Sequence, residues 1–327
     1  MTRSAMDTET IVNAVALACR APSLHNSQPW RWVAGDTGVD LFFDKQRVIR
    51  STDSSGREAV ISCGAALGHF RVALAASGWR TTVDRFPNPN MLDHLASVGF
   101  NSSRYVTDAE LDRADAILRR RTDRLPFLAP DDWESFEPVL RSTFDEEAAA
   151  LSVIANDAHP TLAEASQLTE SFRRYDESYH DELRWWTASF KLNEGVPPST
   201  LVSDEERGRV ELNREFPVSG HGDRRPEVET DEAKVLVLST SKHTRADAFN
   251  CGEVLSTVLL ECTMAGLATC MLTHITELPE CRQIIQRLTN DSGFPQVLIR
   301  VGTTPAIENL PAPTPRRPLA DVLEIRR

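Results

Sequence analysis

Residues 57–77 combine helical spacing with Cys63, Gly64, Ala65, Ala66, Gly68 and Ala73, side chains so small that another helix can approach the backbone closely. This pattern predicts a buried central helix. Gly78 follows as its terminating residue, and 79–86 and 95–100 then alternate as strands around the turn Pro87-Asn88-Pro89-Asn90. The same order returns later in the chain. Asn250 or Thr244 precedes a helix over 246–265, Gly266 ends it, 267–273 reads as a strand, and 296–301 is the closing strand. The repetition predicts an α+β fold made of two fused copies of one unit, with central helices packed on mixed or antiparallel sheets. The first copy spans 1–104 and the second 105–327, with an insertion at about 160–230.

The remaining segments fit between these landmarks. Thr8 is placed to cap a first helix carrying Ile11, Val12 and Val15, and 31–33 and 39–43 form a hairpin around Gly35 to Gly38. Ser54 or Ser55 leads into the central helix, and an amphipathic helix over 107–121 opens the second copy. In the insertion, Phe172, Tyr175, Tyr179, Trp185, Trp186 and Phe190 run beside charged residues, giving one aromatic and one charged face. That segment is either an extra helix packed on the core or a lid. Gly and Pro then interrupt regular structure, which makes Asp223-Arg224-Arg225-Pro226 part of a mobile stretch. Pro305, Pro311, Pro313, Pro315 and Pro318 favour an extended arm that wraps the body.

Composition narrows the function. A chain of 327 residues with 41% hydrophobic content buries a substantial core, while a net charge of −12 opposes non-specific attraction to nucleic acid or anionic lipid. Neither nucleic acid nor a membrane is expected as a partner, and any bound phosphate needs a local cluster of arginines. The segment 1–10 carries Arg3, Asp7 and Glu9 without an apolar run, and no stretch of about 18 uninterrupted apolar residues follows, so a cytoplasmic location is expected. Cys19, Cys63, Cys251, Cys262, Cys270 and Cys281 show no Cys-x-x-Cys spacing and suit core packing. No zinc, P-loop, dinucleotide-fold or Gly-x-Ser-x-Gly spacing occurs, and no metal is expected.

Two loops carry the chemical signal. Residues 21–30 read Ala-Pro-Ser-Leu-His-Asn-Ser-Gln-Pro-Trp, where Pro22 and Pro29 stiffen a run of hydrogen-bonding side chains beside Trp30. Residues 119–127 read Arg-Arg-Arg-Thr-Asp-Arg-Leu-Pro-Phe, placing Arg119, Arg120, Arg121 and Arg124 where a helix must stop before Pro126. Guanidinium forks suit phosphate oxygens, although cations at a helix C-terminus also complement its dipole. Arg316-Arg317-Pro318 adds a second basic cluster that either converges on the same anion or lies as a solvated tail.

Pro22-Ser23, Asn26, Gln28, Pro29 and Trp30 resemble the Pro-Ser-x-x-Asn-x-Gln-Pro-Trp loop of FMN-dependent nitroreductases. Arg120, Thr122 and Arg124 resemble that family's Arg-x-Ser-x-Arg/Lys motif, and Gly266-Leu267-Ala268 its Gly-Leu-Gly segment. With Asp53-x-x-Gly56-Arg57-Glu58, Cys63 to Leu67 and Glu182-x-x-Trp185, the order of motifs is similar to the Acg-like branch over nearly the whole chain. The resemblance implies a nitroreductase-like fold folded on itself as a pseudo-dimer, with one FMN per chain. It implies that Arg120 and Thr122 face the phosphate, with Arg121 also binding the cofactor and Arg316 and Arg317 returning to the phosphate, and that Arg124 lies nearer the ribityl chain or flavin ring.

Pro22, Ser23, Leu24 and Asn26 are implied to lie against the flavin, and Thr273, His274 and Ile275 near its N5 edge. No catalytic side chain is required, because N5 is the reactive atom. The implied function is an NAD(P)H-dependent reductase passing hydride through N5 to a small planar acceptor. The alternative is an FMN storage protein whose lid leaves little or no reductase activity. Either a monomer acting as its own pseudo-dimer or a homodimer is compatible with this reading.

Overall fold

The computed structural model describes residues 6–188, 193–305 and 312–326. Arg3, Phe190 and Pro311, used above, lie outside them. Helix α1 (Thr8–Ala18) leads to strands β1 (Trp30–Ala34) and β2 (Val39–Phe43), helix α2 (Arg57–Ala76), and strands β3 (Trp79–Arg85) and β4 (His94–Ser102). Next come α3 (Asp108–Arg119), α4 (Trp133–Arg141), β5 (Ala150–Ile154), α5 (His159–Arg173), α6 (Glu177–Trp186) and α7 (Asp204–Arg207). Strand β6 (Lys234–Thr240), α8 (Arg245–Met264), β7 (Ala268–Leu272), α9 (Pro279–Thr289), β8 (Phe294–Gly302) and β9 (Leu323–Ile325) complete the order.

One sheet runs β3-β4-β2-β1-β9 and the other β5-β6-β8-β7, so the order third, fourth, second, first recurs in both. Every pairing within those two sets of four is antiparallel. Strand β9 was not anticipated. It carries the chain end back to pair in parallel with β1, matching Trp32 with Leu323, so the first sheet includes a strand from beyond residue 104. The apolar core also crosses that boundary, joining Trp30, Trp32 and Phe70 to Leu236, Phe249 and Ile299.

Helices α2 and α8 pack against each other at the centre because two glycines let their backbones touch. A Cβ on Gly64 would sit 2.0 Å from the Phe249 carbonyl oxygen, and one on Gly252 would sit 2.1 Å from that of Ile61. By length and composition α2 could cross a membrane, yet most of its side chains are buried in this core. All six cysteines are buried as free thiols.

Helix starts are corrected in detail. Asp7, not Thr8, caps α1 by accepting from the Thr10 N–H at 2.7 Å. Gly56, and neither Ser54 nor Ser55, is the residue entering α2, and the Asp53 carboxylate accepts from the Ala59 N–H at 2.9 Å. Of the two candidates for α8, Thr244 caps it, reciprocally with Asp247. Thr244→Ala is expected to lower stability by about 1 kcal/mol in a denaturant titration, the usual contribution of such a cap.

The insertion is corrected in two respects. Its aromatic residues do not form one buried face: Tyr179 packs with Leu183, Val196, Leu201 and Phe216, whereas Phe172, Tyr175 and Trp185 are exposed. The α5 and α6 axes break between them at Arg174 to Asp176, so the residues no longer share one helical face. Nor is 223–226 loose. Arg225 is buried and donates to Pro126 O at 3.0 Å and to the Asp123 carboxylate, and Arg224 is clamped by Glu206 at 2.8 Å. These ion pairs supply the order that the Gly/Pro content argued against.

Candidate functional site

The loop between α1 and β1 turns sharply through residues with left-handed backbone, His25 (φ 47°), Asn26 (φ 57°) and Gln28 (φ 51°). Such geometry is strained for non-glycine residues and concentrates where structure over-determines it. Here the Ser23 hydroxyl accepts from the Gln28 N–H at 3.0 Å, the Ser62 hydroxyl from the Leu24 N–H at 3.3 Å, and the Cys63 thiol donates to Pro29 O. The loop is thereby bolted to α2.

The arginine loop is fixed by contacts from later in the chain. Helix α3 ends at Arg119, two residues before the expected limit, because Arg120 turns extended (ψ 132°). Thr122 then bridges to Thr269 at the start of β7, and Asp123 N–H donates to Thr269 O at 3.0 Å. Two buried guanidiniums lie against the Phe127 ring, Arg300 4.6 Å and Arg225 5.8 Å from its centroid. Arg300 is held by Asp231 at 2.6 and 2.8 Å.

Both loops open on one cleft with about 1220 Å³ of atom-free space, part of it open to solvent. Pro22, Ser23, Leu24 and Asn26 line one side, Arg120, Arg121, Thr122 and Arg124 another, and Thr273, His274 and Arg316 join them. Segments almost a hundred residues apart therefore share a cavity. Ile275 does not line it, since the chain turns after Thr273 and carries that side chain into the second apolar cluster. Arg317 does not line it either: its N–H donates to Gln28 Oε1 at 2.9 Å and its guanidinium to Asp321 O at 3.0 Å.

Electrostatics separates the arginines. Arg120 is buried, its Nε and Nη1 have no partner, and Nη2 donates only to Arg20 O at 3.4 Å. Burial and the charge of Arg20 pull its pKa down to about 10. Arg316 is lowered to about 9 by burial and then by Arg20 and Arg120, but its donors are spent on Cys19 O (2.8 Å), Arg20 O (3.0 Å) and Thr314 O (3.0 Å). It ties the tail to the carbonyl end of α1. Among the described residues, the charged groups acting on Arg120 and Arg316 are arginines, an environment that favours a nearby anion.

The insertion supplies the opposite wall through Gly195, Val196, Pro197, Asn213, Arg214 and Phe216. It is latched to the strained loop: Asn26 Nδ2 donates to Gly195 O at 3.1 Å and to Pro315 O at 3.0 Å, and Gln28 Nε2 to Asn193 O at 2.9 Å. Arg47 pairs with Glu194, and Glu182 accepts from the Ser51 N–H at 3.0 Å. Asn26 thus spends its amide N–H groups on the insertion and tail, leaving Oδ1 without a partner.

Sequence reasoning missed His25, Glu58 and Arg214. His25 sits inside the recognised loop with both ring nitrogens unpartnered, edge-on to Phe216 at 5.4 Å, and burial, Arg214 and Arg124 hold its pKa well below 6.5. His274 bonds the Ser166 hydroxyl at 2.7 Å and is likewise held neutral by burial. Arg214 bonds Tyr179 Oη at 3.1 Å and pairs with Glu277. Glu58 stands within a motif of the sequence, but only packing brings it to the lining of the cleft, with its carboxyl buried. Nothing local in the sequence signals Arg214.

No protein-family model matches the chain. It is 56% identical over 319 residues, covering 98% of this chain and 96% of the relative, to “Putative NAD(P)H nitroreductase acg” of Mycobacterium tuberculosis. A second relative from that organism with the same designation, Rv3131, is 36% identical over 335 residues, covering 97% and 92%. Among solved structures, the FMN-dependent nitroreductase NfnB from Mycobacterium smegmatis in complex with NADPH aligns with a TM-score of 0.42 at 14% identity, over 67% of this chain and 100% of that one. A full-length match at 56% identity defines the class: the chain belongs to the nitroreductase family. Within it, the acg protein is one relative that the chain matches over nearly its whole length.

Proposed function

We propose that the cleft holds one FMN per chain and that the protein is an NAD(P)H-dependent reductase of small planar acceptors such as nitroaromatics or quinones. The carrying observation is the buried guanidinium of Arg120, whose Nε and Nη1 have no partner, in the cleft that both motif loops line. A buried, unpaired cation is costly unless an anion completes it, and a phosphate monoester supplies both charge and acceptors.

In this reading Arg120 and Thr122 grip the phosphate, with Arg121 at the rim, and Arg20 and Arg316 add positive potential. Arg124, which lies 5.2 Å from the Phe216 ring, biases the ring system toward its reduced, negatively charged form. The Pro22 to Asn26 loop and the Thr273 to His274 backbone fix ring orientation. Phe216 and Val196 exclude water. The bound flavin would supply hydride transfer at N5. The names of the relatives favour NAD(P)H as the donor.

The latch supports a second reading, storage of FMN beneath a lid that nicotinamide does not pass. Anaerobic stopped-flow mixing of the FMN-loaded protein with NADH or NADPH separates the two. Bleaching of the flavin band by either nucleotide is the expected result. Bleaching by dithionite alone would favour storage, and a colourless protein that takes up no added FMN would end both.

A further inference from the structure

Among the described residues lining the cleft, one is acidic. Glu58 lies in the first turn of α2, 3% exposed, in a cleft whose lining also carries Arg20, Arg120, Arg124 and Arg214. Its Oε1 accepts from Arg57 Nη2 at 3.2 Å, while Oε2 is buried without a partner. Arg57 is itself fixed by Gln296 O at 2.8 Å, Gln296 Oε1 at 3.1 Å and Thr276 Oγ1 at 2.9 Å, so the carboxyl is held in place.

The charged groups acting on Glu58 are Arg57 from its own helix, Asp53 from the loop before that helix, Glu277 from beyond β7, and Arg214 from the insertion. Glu277 engages Arg214 directly, together with Arg173 at 3.1 Å, which leaves less of that positive charge for Glu58. Burial, and then the negative charge of Glu277, push the Glu58 pKa up to about 7. The imidazoles of His25 and His274, on the same cleft, are held neutral by burial and carry no spare proton at that pH. Glu58 is therefore the lining group suited to exchange a proton near neutrality.

We propose that Glu58 is the acid of this cleft, keeping a proton between turnovers and delivering it to an oxygen of the quinone- or nitro-type acceptor as that acceptor takes up hydride. This rests on the flavin reading above. The hydride brings two electrons and one hydrogen from the reduced flavin, itself recharged by NAD(P)H. The second hydrogen is a proton: the Glu58 O–H bond breaks, an O–H bond forms on the acceptor, and a quinone ends as its hydroquinone. The carboxylate left beside Arg57 regains its proton from water.

The test compares wild type with Glu58→Gln and Glu58→Asp. Infrared spectra of the apoprotein should show a protonated-carboxyl C=O band at about pH 6 that fades by about pH 8.5 and is missing from Glu58→Gln. Dithionite-reduced, FMN-loaded protein is then oxidised by benzoquinone in a stopped-flow instrument. Wild type should slow roughly tenfold per pH unit above about pH 7. Glu58→Gln should retain FMN, react on the order of 10²-fold more slowly at about pH 6, and show a flat profile. Glu58→Asp should restore the pH dependence. Absence of a Glu58-dependent band, or a Glu58→Gln profile matching wild type, overturns the proposal. Failure of wild type to take up FMN overturns the flavin reading itself, a result distinct from a flat profile in FMN-loaded wild type.

Discussion

Replacing Arg120 by leucine will move two measurements in opposite directions. The apoprotein will melt at a higher temperature, while affinity for FMN collapses. The guanidinium is buried, crowded by Arg20, and leaves Nε and Nη1 without partners, so in the empty protein it is an uncompensated charge. Substituting an apolar side chain for buried charge has stabilised other proteins by about 1–4 kcal/mol, which sets the scale for the rise. The same two donors are those available to a phosphate. At about 1.5–3 kcal/mol for each charged hydrogen bond, their loss should raise the Kd by on the order of 10²–10⁴.

Thermal scans with and without FMN, together with fluorescence titration, read both effects. The FMN-dependent increase in Tm, large in wild type, should nearly vanish in the variant. Arg120→Ala combined with Arg124→Ala should weaken FMN retention further, since a second lining cation is lost. Unchanged retention in either protein would mean that the phosphate lies elsewhere.

Gly252→Ala should be among the most damaging conservative substitutions in the chain. On an ordinary helix this change stabilises by about 1 kcal/mol. Here the new methyl group would lie 2.1 Å from Ile61 O, 2.8 Å from Gly64 Cα and 2.9 Å from Ala65 N, all of them backbone atoms. No side chain can rotate away, so α2 and α8 must separate by roughly 1 Å against normal contact distances. A cost of about 3 kcal/mol or more is expected, at or above the upper end for overpacking, and it is a large part of a typical domain's stability. The cleft would loosen as well, because Glu58, Ile61 and Ser62 on α2 and Leu255 on α8 line it. Urea unfolding of Gly252→Ala beside Gly35→Ala, whose site has nothing within 4 Å, provides the comparison. Equal midpoints for the two variants would contradict the close-contact argument.

What was legible in the sequence is local. The small-residue helices, their terminal glycines Gly78 (φ 81°) and Gly266 (φ 76°), the hairpin over β1 and β2 and the two motif loops all follow from side-chain size, backbone preference and periodicity among near neighbours. Capping residues were less secure because several candidates lie within one turn, and backbone geometry selects among them. Segment 223–226 was misjudged since Gly and Pro report local stiffness, whereas Arg224 and Arg225 are ordered by partners 18 and 102 residues distant.

The sequence by itself determined that this chain is α+β and carries a proline-stiffened loop and an arginine cluster. Only the tertiary structure decided that these loops face one cleft, that Arg316 and Arg317 serve the tail, and that Glu58 and Arg214 enter the site. The physical reason is that charge pairing and desolvation depend on three-dimensional neighbours. A carboxyl in the first turn of a helix is unremarkable until burial and a distant Glu277 change which form it prefers.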